Sequence, residues 1–290
     1  MSDVTAKMVQ DLRTCTGAGM MDCKKALVET GGDMDKAVDV LRTKGLAALA
    51  KKAGRATNEG IIGGTVSDDR RTGALVEVNC ETDFVARNAD FKAFVAEIAD
   101  RILADAPADV PALMAASFRD GQTFEQVLGE QVGKIGENMG VARFARYELS
   151  SEAGAVTVYV HGVGNIGVIV EVACGTAEAA ASDAFLEACK NVAMQVAAAA
   201  PYAVNRDAVD ASVVAHELEI YKAQAAESGK PEAIQTKIAE GRLEKFFKEA
   251  VLLEQDYVKD TDVTVRAYLD GVAKQLGTTI DVVRFERLVL

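Results

Sequence analysis

The chain's closest approach to a catalytic or cofactor motif is Gly162-Val163-Gly164-Asn165-Ile166-Gly167, which matches G-x-G-x-x-G, with Glu187 20 residues past the last glycine. That pattern binds a dinucleotide when a helix follows the glycines, because the helix N-terminus holds the pyrophosphate. Here Val168-Ile169-Val170-Glu171-Val172 follows instead. This β-branched run suits a strand paired with 156–160, so the glycines are expected to turn a hairpin. Thr16-Gly17-Ala18-Gly19 with Lys24-Lys25 is a fainter phosphate-loop pattern. It follows a helical stretch and lacks G-K-[ST], so it reads as a helix–helix turn. Its lysines belong to a solvated face or to a partner contact. The two histidines cannot build a three-His metal site, and no H-E-x-x-H is present. Cys80 and Cys174 sit in matching strand contexts and read as packing, and His161 at the hairpin has no ligand partner nearby in sequence. No catalytic residue, metal ligand or cofactor is expected.

The elements that must position these residues are legible from periodicity. Met8, Val9 and Leu12 mark one helix; Met20, Cys23 and Leu27 mark a second, stopped at Gly31-Gly32. Met34, Ala37, Val38 and Leu41 mark a third, capped by Asp33 and ending near Gly45. Residues 47–56 read as a helical or flexible linker. From Gly60 the period changes to two. Strands 61–67 and 74–79 are joined by Asp68-Asp69-Arg70-Arg71-Thr72-Gly73. A helix with Phe91, Phe94, Val95, Ile98 and Ile102 on one face follows and is closed by Pro107. Another helix spans 124–132, and a strand spans 141–149.

The chain repeats itself. Shifted by 94 residues, 73–82 falls on 167–176 with six of ten pairs identical, and Phe91 falls on Phe185. The closing parts match at a shift of 141, Arg143-Phe144 on Arg284-Phe285. The difference is an insertion between Pro201 and Thr264. Val213, Val214, Leu218 and Tyr221, then Ser228-Gly229-Lys230-Pro231, then Ile234, Ile238, Leu243 and Phe246 make it a helical hairpin, each helix spanning about 25 Å. The expected fold is α+β: a three-helix bundle, then two repeated lobes with antiparallel sheets, the second carrying a coiled-coil arm. The expected domains are 1–55, 56–150, 151–204 with 248–290, and 205–247 for the arm.

The repeat also singles out Thr82-Asp83-Phe84-Val85, between strand and helix. Thr82 or Asp83 suits a helix cap and Phe84 a core position, but Phe84 falls on Glu178 in the second lobe. A lobe of the same design that accepts Glu there has no need of an aromatic core residue. The Asp-Phe tip therefore looks like a probe of another molecule.

Of the 290 residues, 49% are apolar and 26% charged, enough for packed cores, and no apolar run suits a membrane span. The five cysteines lack C-x-x-C spacing, and Met1-Ser2-Asp3-Val4-Thr5 lacks the basic and apolar regions of an export signal, so a reducing, cytoplasmic setting is expected. The net charge of −12 argues against nucleic acid as principal ligand. Residues 1–55 hold 10 Lys and Arg against 7 Asp and Glu, which fits a separate N-terminal module.

Two segments carry a family resemblance. Leu12-Arg13-Thr14-Cys15-Thr16-Gly17-Ala18-Gly19-Met20-Met21-Asp22-Cys23-Lys24-Lys25-Ala26-Leu27 and Glu77-Val78-Asn79-Cys80-Glu81-Thr82-Asp83-Phe84-Val85-Ala86-Arg87 resemble the two signatures of bacterial elongation factor Ts. The layout agrees along the chain, with a ubiquitin-associated-like bundle in front. After Phe285 only five residues remain. The resemblance implies a guanine nucleotide exchange factor, not an enzyme. It would bind elongation factor Tu with GDP, and Thr82, Asp83, Phe84 and Val85 would disturb that partner's Mg²⁺ site. It implies softer contacts at Met20, Met21 and Lys24, at Ile135 and Gly136 beside the tip, and at His161 and Gly162. One-to-one and two-to-two complexes both fit. The competing readings are a nucleotide-dependent small-molecule enzyme using the glycine turn and a holdase-like binder without exchange activity.

Overall fold

The computed structural model describes residues 4–119, 121–227, 229 and 231–290. Residues 1–3 of the N-terminal stretch, and Ser228 and Lys230 of the expected arm turn, lie outside them. Three helices open the chain: α1 (Ala6–Thr16), α2 (Met20–Glu29) and α3 (Met34–Lys52). The Thr5 hydroxyl caps α1, Gly17 ends it at φ +66°, and Asp33 caps α3 by accepting from the Lys36 amide. Val9, Leu12, Cys23, Ala26, Leu27 and Ala37 form the buried centre. Two expectations need correction. Met20 does not face inward; it is exposed, because Cys23, Ala26 and Leu27 already fill the buried side of α2. Nor does Gly45 end α3, which runs on to Lys52.

The reason for Gly45 lies further along the chain. The first lobe comprises β1 (Glu59–Val66), β2 (Thr72–Cys80), α4 (Asp83–Arg87), α5 (Ala89–Asp105), α6 (Val110–Ala115), β3 (Ser117–Arg119), β4 (Gln122–Thr123), α7 (Phe124–Ile135) and β5 (Met139–Glu148). A Cβ on Gly45 would stand 3.1 Å from the Gly129 carbonyl carbon in α7, and one on Gly129 3.0 Å from that of Gly45. The two helices cross backbone to backbone, and a side chain at either glycine would push them apart by a few tenths of an ångström. This crossing fastens the bundle to the lobe.

The second lobe repeats the first: β6 (Gly154–His161), β7 (Ile166–Cys174), α8 (Ala177–Ala180) and α9 (Asp183–Ala199). The arm α10 (Ala211–Ala226) and α11 (Glu232–Ala250) follows, then β8 (Asp256–Tyr257), β9 (Asp260–Thr264), α12 (Val265–Leu276) and β10 (Ile280–Val289). The sheets are antiparallel, ordered β1-β2-β5 and β10-β7-β6. The repeat holds to the residue. Helices α5 and α9 differ by 94 at both ends, and both are followed by an alanine in the left-handed region, Ala106 and Ala200. Helices α7 and α12, and strands β5 and β10, differ by 141 at both ends.

Each sheet packs its helices on one face and meets the other sheet on the opposite face, through Ile62, Leu75, Tyr147, Leu149, Val156, Ile169 and Leu288. The contacts are reciprocal. The Ile62 amide donates to the Gly164 carbonyl at 2.8 Å, and Val156, its counterpart, donates to Arg70, the counterpart of Gly164, also at 2.8 Å. Within each lobe, beside the joint, the Leu149 amide donates to the Arg71 carbonyl at 2.7 Å and its counterpart Leu290 donates to the Asn165 carbonyl at 3.1 Å. Arg143 holds Glu77 at 2.8 Å and donates to the Val289 carbonyl; Arg284 holds Glu171 at 2.6 Å and donates to the Glu148 carbonyl. Exchanging the two lobes leaves the joint unchanged, the arrangement of a pseudo-twofold axis.

The arm's half-buried stripe runs along both helices, with Ala225 and Ala239 fully covered. Its root is a small core of Ala203, Val209, Phe247 and Val251. There Arg206 lies over the Phe247 ring and pairs with Glu244 and Glu254. Among the described residues no helix is long and apolar enough to cross a membrane.

Candidate functional site

Strand β2 ends at Cys80, whose buried thiol donates to the Thr82 carbonyl at 3.2 Å; burial, with Glu137 nearby, pushes its pKa up to about 11. Cys189 is likewise buried and pushed up to about 12. These thiols are packing groups with almost no thiolate at neutral pH. Thr82 caps α4: its hydroxyl accepts from the Val85 amide. Within α4, Ala86 is buried and Val85 packs against the lobe core, so these two residues anchor the turn. Asp83 pairs with Arg87 one turn on, at 3.1 Å. Asn88 then closes α4 and opens α5, its side chain accepting from the Asp90 amide at 2.7 Å.

Phe84 points away from the lobe core. It is 84% exposed, the most exposed large apolar side chain among the described residues. Its counterpart Glu178, on α8, is also exposed, and α8 is capped in the same way by Thr176. The two lobes thus build the same threonine-capped corner, and only one of them puts an aromatic ring on it. Leaving a phenyl ring in water forgoes about 2 kcal/mol of burial, so this fold gains little from an aromatic at the position.

A residue that the sequence reading missed touches the tip most directly. Glu137 accepts from the Thr82 amide at 3.1 Å and from its hydroxyl at 2.7 Å. The resemblance points to Ile135 and Gly136, two and one residues before it. Gly136 is the exposed C-cap of α7 at φ +89°, and Ile135 packs against the lobe core. Next to Glu137, Asn138 donates its amide to Glu81 at 2.5 Å and its side chain to the Arg55 carbonyl at 2.9 Å, while Arg55 also pairs with Glu81. The connection from α3 is therefore tied to the base of the tip.

The remaining candidates fall into two groups. Met20, Met21 and Lys24 are exposed on α2 and share that face with Val28. The turn before α2 approaches α7 near Lys134, which pairs with Asp90. His161 and Gly162 are exposed at the β6–β7 turn, where the His161 Nδ1 and the Tyr159 hydroxyl share a hydrogen bond at 2.9 Å. A groove of about 280 Å³ runs between this turn and the tip, lined by Asp83 and Arg87 on one side and by Val163, Asn165 and Leu290 on the other. The Asp-Phe corner and the second-lobe turn therefore open on the same groove.

The glycine turn is a hairpin: β7, a strand, follows it directly. Its glycines serve the joint between lobes. A Cβ on Gly164 (φ +105°) would stand 3.1 Å from the Ile61 Cβ, and one on Gly167 would stand 2.4 Å from the Ile62 Cγ2. Gly73, the counterpart of Gly167, has the mirror problem with Val156, at 2.7 Å. A strand rather than a helix follows these glycines, and isoleucine side chains pack against Gly164 and Gly167.

Comparison with known proteins agrees with this layout. A family model described as elongation factor TS matches residues 81–289. The chain is 49% identical to elongation factor Ts of Trichlorobacter lovleyi over 289 residues, covering 99% of this chain and 92% of the relative. It is 49% identical to that of Clostridioides difficile over 288 residues, with the same coverage. Against that of Clostridium perfringens it is 48% identical over 284 residues, covering 98% and 92%.

Proposed function

Because the chain belongs to the elongation factor Ts family of translation factors, we propose that it is a guanine nucleotide exchange factor for elongation factor Tu. It binds that GTPase in its GDP form in the cytoplasm and speeds GDP loss, after which GTP refills the site. It makes and breaks no covalent bond. The observation that carries this reading is Phe84, a ring exposed on a capped, anchored corner whose counterpart in the other lobe is Glu178.

The mechanism follows from what such a corner does to a partner. Mg²⁺ demands near-ideal octahedral geometry, so a small shift of the loops that support it loosens the nucleotide phosphates it bridges. The Phe84 ring inserts into the GTPase core beside that site, and Asp83 orients the approach. Met20, Met21 and Lys24 hold the GTPase domain, and His161 and Gly162 meet a second region of the partner across the groove. Residues 1–55 are then the docking module, 56–150 the lobe that acts, 151–204 with 248–290 the lobe that braces it, and 205–247 the arm. Exchange is a coupling free energy: the factor weakens GDP binding by the same factor by which GDP weakens binding of the factor.

Fluorescent GDP released from elongation factor Tu in a stopped-flow instrument tests the proposal, with and without this protein. Acceleration is expected, together with no binding of GDP or NAD by the protein alone. An unchanged release rate would overturn it. Light scattering of the complex separates one-to-one from two-to-two assembly.

A further inference from the structure

We propose that Glu137 is a positioning residue for nucleotide release, holding the Asp83-Phe84 tip through Thr82; the proposal rests on the exchange reading above. Both oxygens of its carboxylate are used, and both bonds land on one residue. Oε2 accepts from the Thr82 backbone and Oε1 from its hydroxyl. With its proton committed to Glu137, the Thr82 hydroxyl turns a lone pair to the Val85 amide, the first bond of the corner that carries Phe84. Charge-assisted bonds of this kind are roughly twice as strong as neutral ones.

The second lobe is an internal control. Thr176 caps its corner with the same bond, the Ala179 amide to the threonine hydroxyl at 3.2 Å. The residue equivalent to Glu137 is Thr278, whose hydroxyl accepts from the Gly175 amide and, among the described residues, makes no bond to Thr176. The corner therefore folds without a carboxylate clamp. The lobe that has the clamp is also the lobe that has the exposed ring. A structural need common to both corners does not explain Glu137; fixing the direction of Phe84 does. A wedge transmits force only if its base resists rotation, and Glu137 anchors that base to the end of α7, the helix whose Gly129 crosses Gly45 of the bundle. The clamp thus joins the tip to the helix that seats the N-terminal module.

The test uses the full chain as wild type, Glu137→Ala, Glu137→Gln, Phe84→Ala and the double variant Glu137→Ala/Phe84→Ala. Glu137→Ala is expected to lower the GDP release rate at saturating factor roughly 10-fold, as loss of a supporting hydrogen-bond partner does. The factor concentration at half effect should move less, and the melting temperature should stay close to wild type. Thr82 and Val85 amide exchange should quicken in the free variant. Glu137→Gln keeps one acceptor and should fall between the two. In the Phe84→Ala background, Glu137→Ala should slow release no further, because it acts through the ring. Losses that multiply in the double variant, or Thr82 exchange unchanged in Glu137→Ala, would overturn the proposal. Acceleration by wild type that Glu137→Ala leaves intact overturns this inference alone; no acceleration by wild type overturns the exchange reading and this one together.

Discussion

Truncating Phe84 to alanine separates a surface wedge from a core residue by two measurements on one variant. A phenylalanine side chain presents about 200 Å², and at 84% exposure only about 30 Å² of it is covered in the free protein, worth about 0.8 kcal/mol at about 25 cal/mol per Å². A core phenylalanine would cost about 3–5 kcal/mol. Phe84→Ala should therefore shift a urea midpoint only slightly. The exposed remainder, about 170 Å², sets a ceiling of about 4 kcal/mol on what the ring can gain in a partner pocket. An interface anchor typically carries 2 kcal/mol or more, so catalysed GDP release should fall at least about 30-fold. The assay is stopped-flow release of fluorescent GDP from elongation factor Tu, run beside the denaturant melt. A variant destabilised by several kcal/mol whose folded fraction still exchanges normally would refute the reasoning. So would full activity in a variant of unchanged stability.

The other predictions concern the joint, its ion pairs and the arm. Gly167→Val should destabilise the chain by about 1–3 kcal/mol through collision with Ile62, with partial rescue by Ile62→Ala in thermal melts; nucleotide binding by the wild type that this variant abolishes would contradict the hairpin role. Burial alone would raise the Glu171 carboxyl, but bonds from Ser150 and Arg284 outweigh it and hold it below its ordinary value. Its contribution is present above the unfolded value near about 4.3 and is lost as pH falls through the lower folded value. Glu171→Gln should therefore flatten the loss of stability below about pH 4.5 in melts across pH, and identical acid limbs would exclude the linkage. Replacing residues 207–245 with a Gly/Ser linker should leave a cooperatively melting protein, because Phe247 and Val251 of the arm's root remain; a broad, non-cooperative melt would place the arm in the core.

Periodicity made the bundle, both sheets, the long helices and the arm legible, because each is a local pattern with one buried face. The internal repeat did more. It places Phe84 opposite Glu178, which assigns the ring to the surface from the sequence alone. Contacts between distant segments were not legible. Helix α2 at Met20 sits at a spacing that suits an inward stripe, yet smaller residues fill that side. Gly45 looks like a stop until Gly129 is seen against it. Helix α6 carried a readable signal, the Asp109 cap with Pro111 in the first turn, and went unread because the segment is short. The Glu137–Thr82 bond spans 55 residues of chain. Its one trace in the sequence is the repeat, which sets Thr278 opposite Glu137 while the neighbouring Gly136 and Gly277 agree.

The reciprocal joint between the lobes has a mechanical consequence. Two backbone bonds between the lobes, the bonds from Arg143 and Arg284 to carbonyls of the opposite lobe, and close glycine contacts hold the lobe of the Asp-Phe corner against the lobe of the His161 turn. The two lobes are thereby arranged like the jaws of a caliper set at one span. When a caliper of fixed span grips a softer object at two points, the object deforms and the instrument does not. On the exchange reading proposed above, stiffness of this joint would matter in its own right. Loosening the joint far from either jaw should blunt exchange even where every residue that touches the partner is intact.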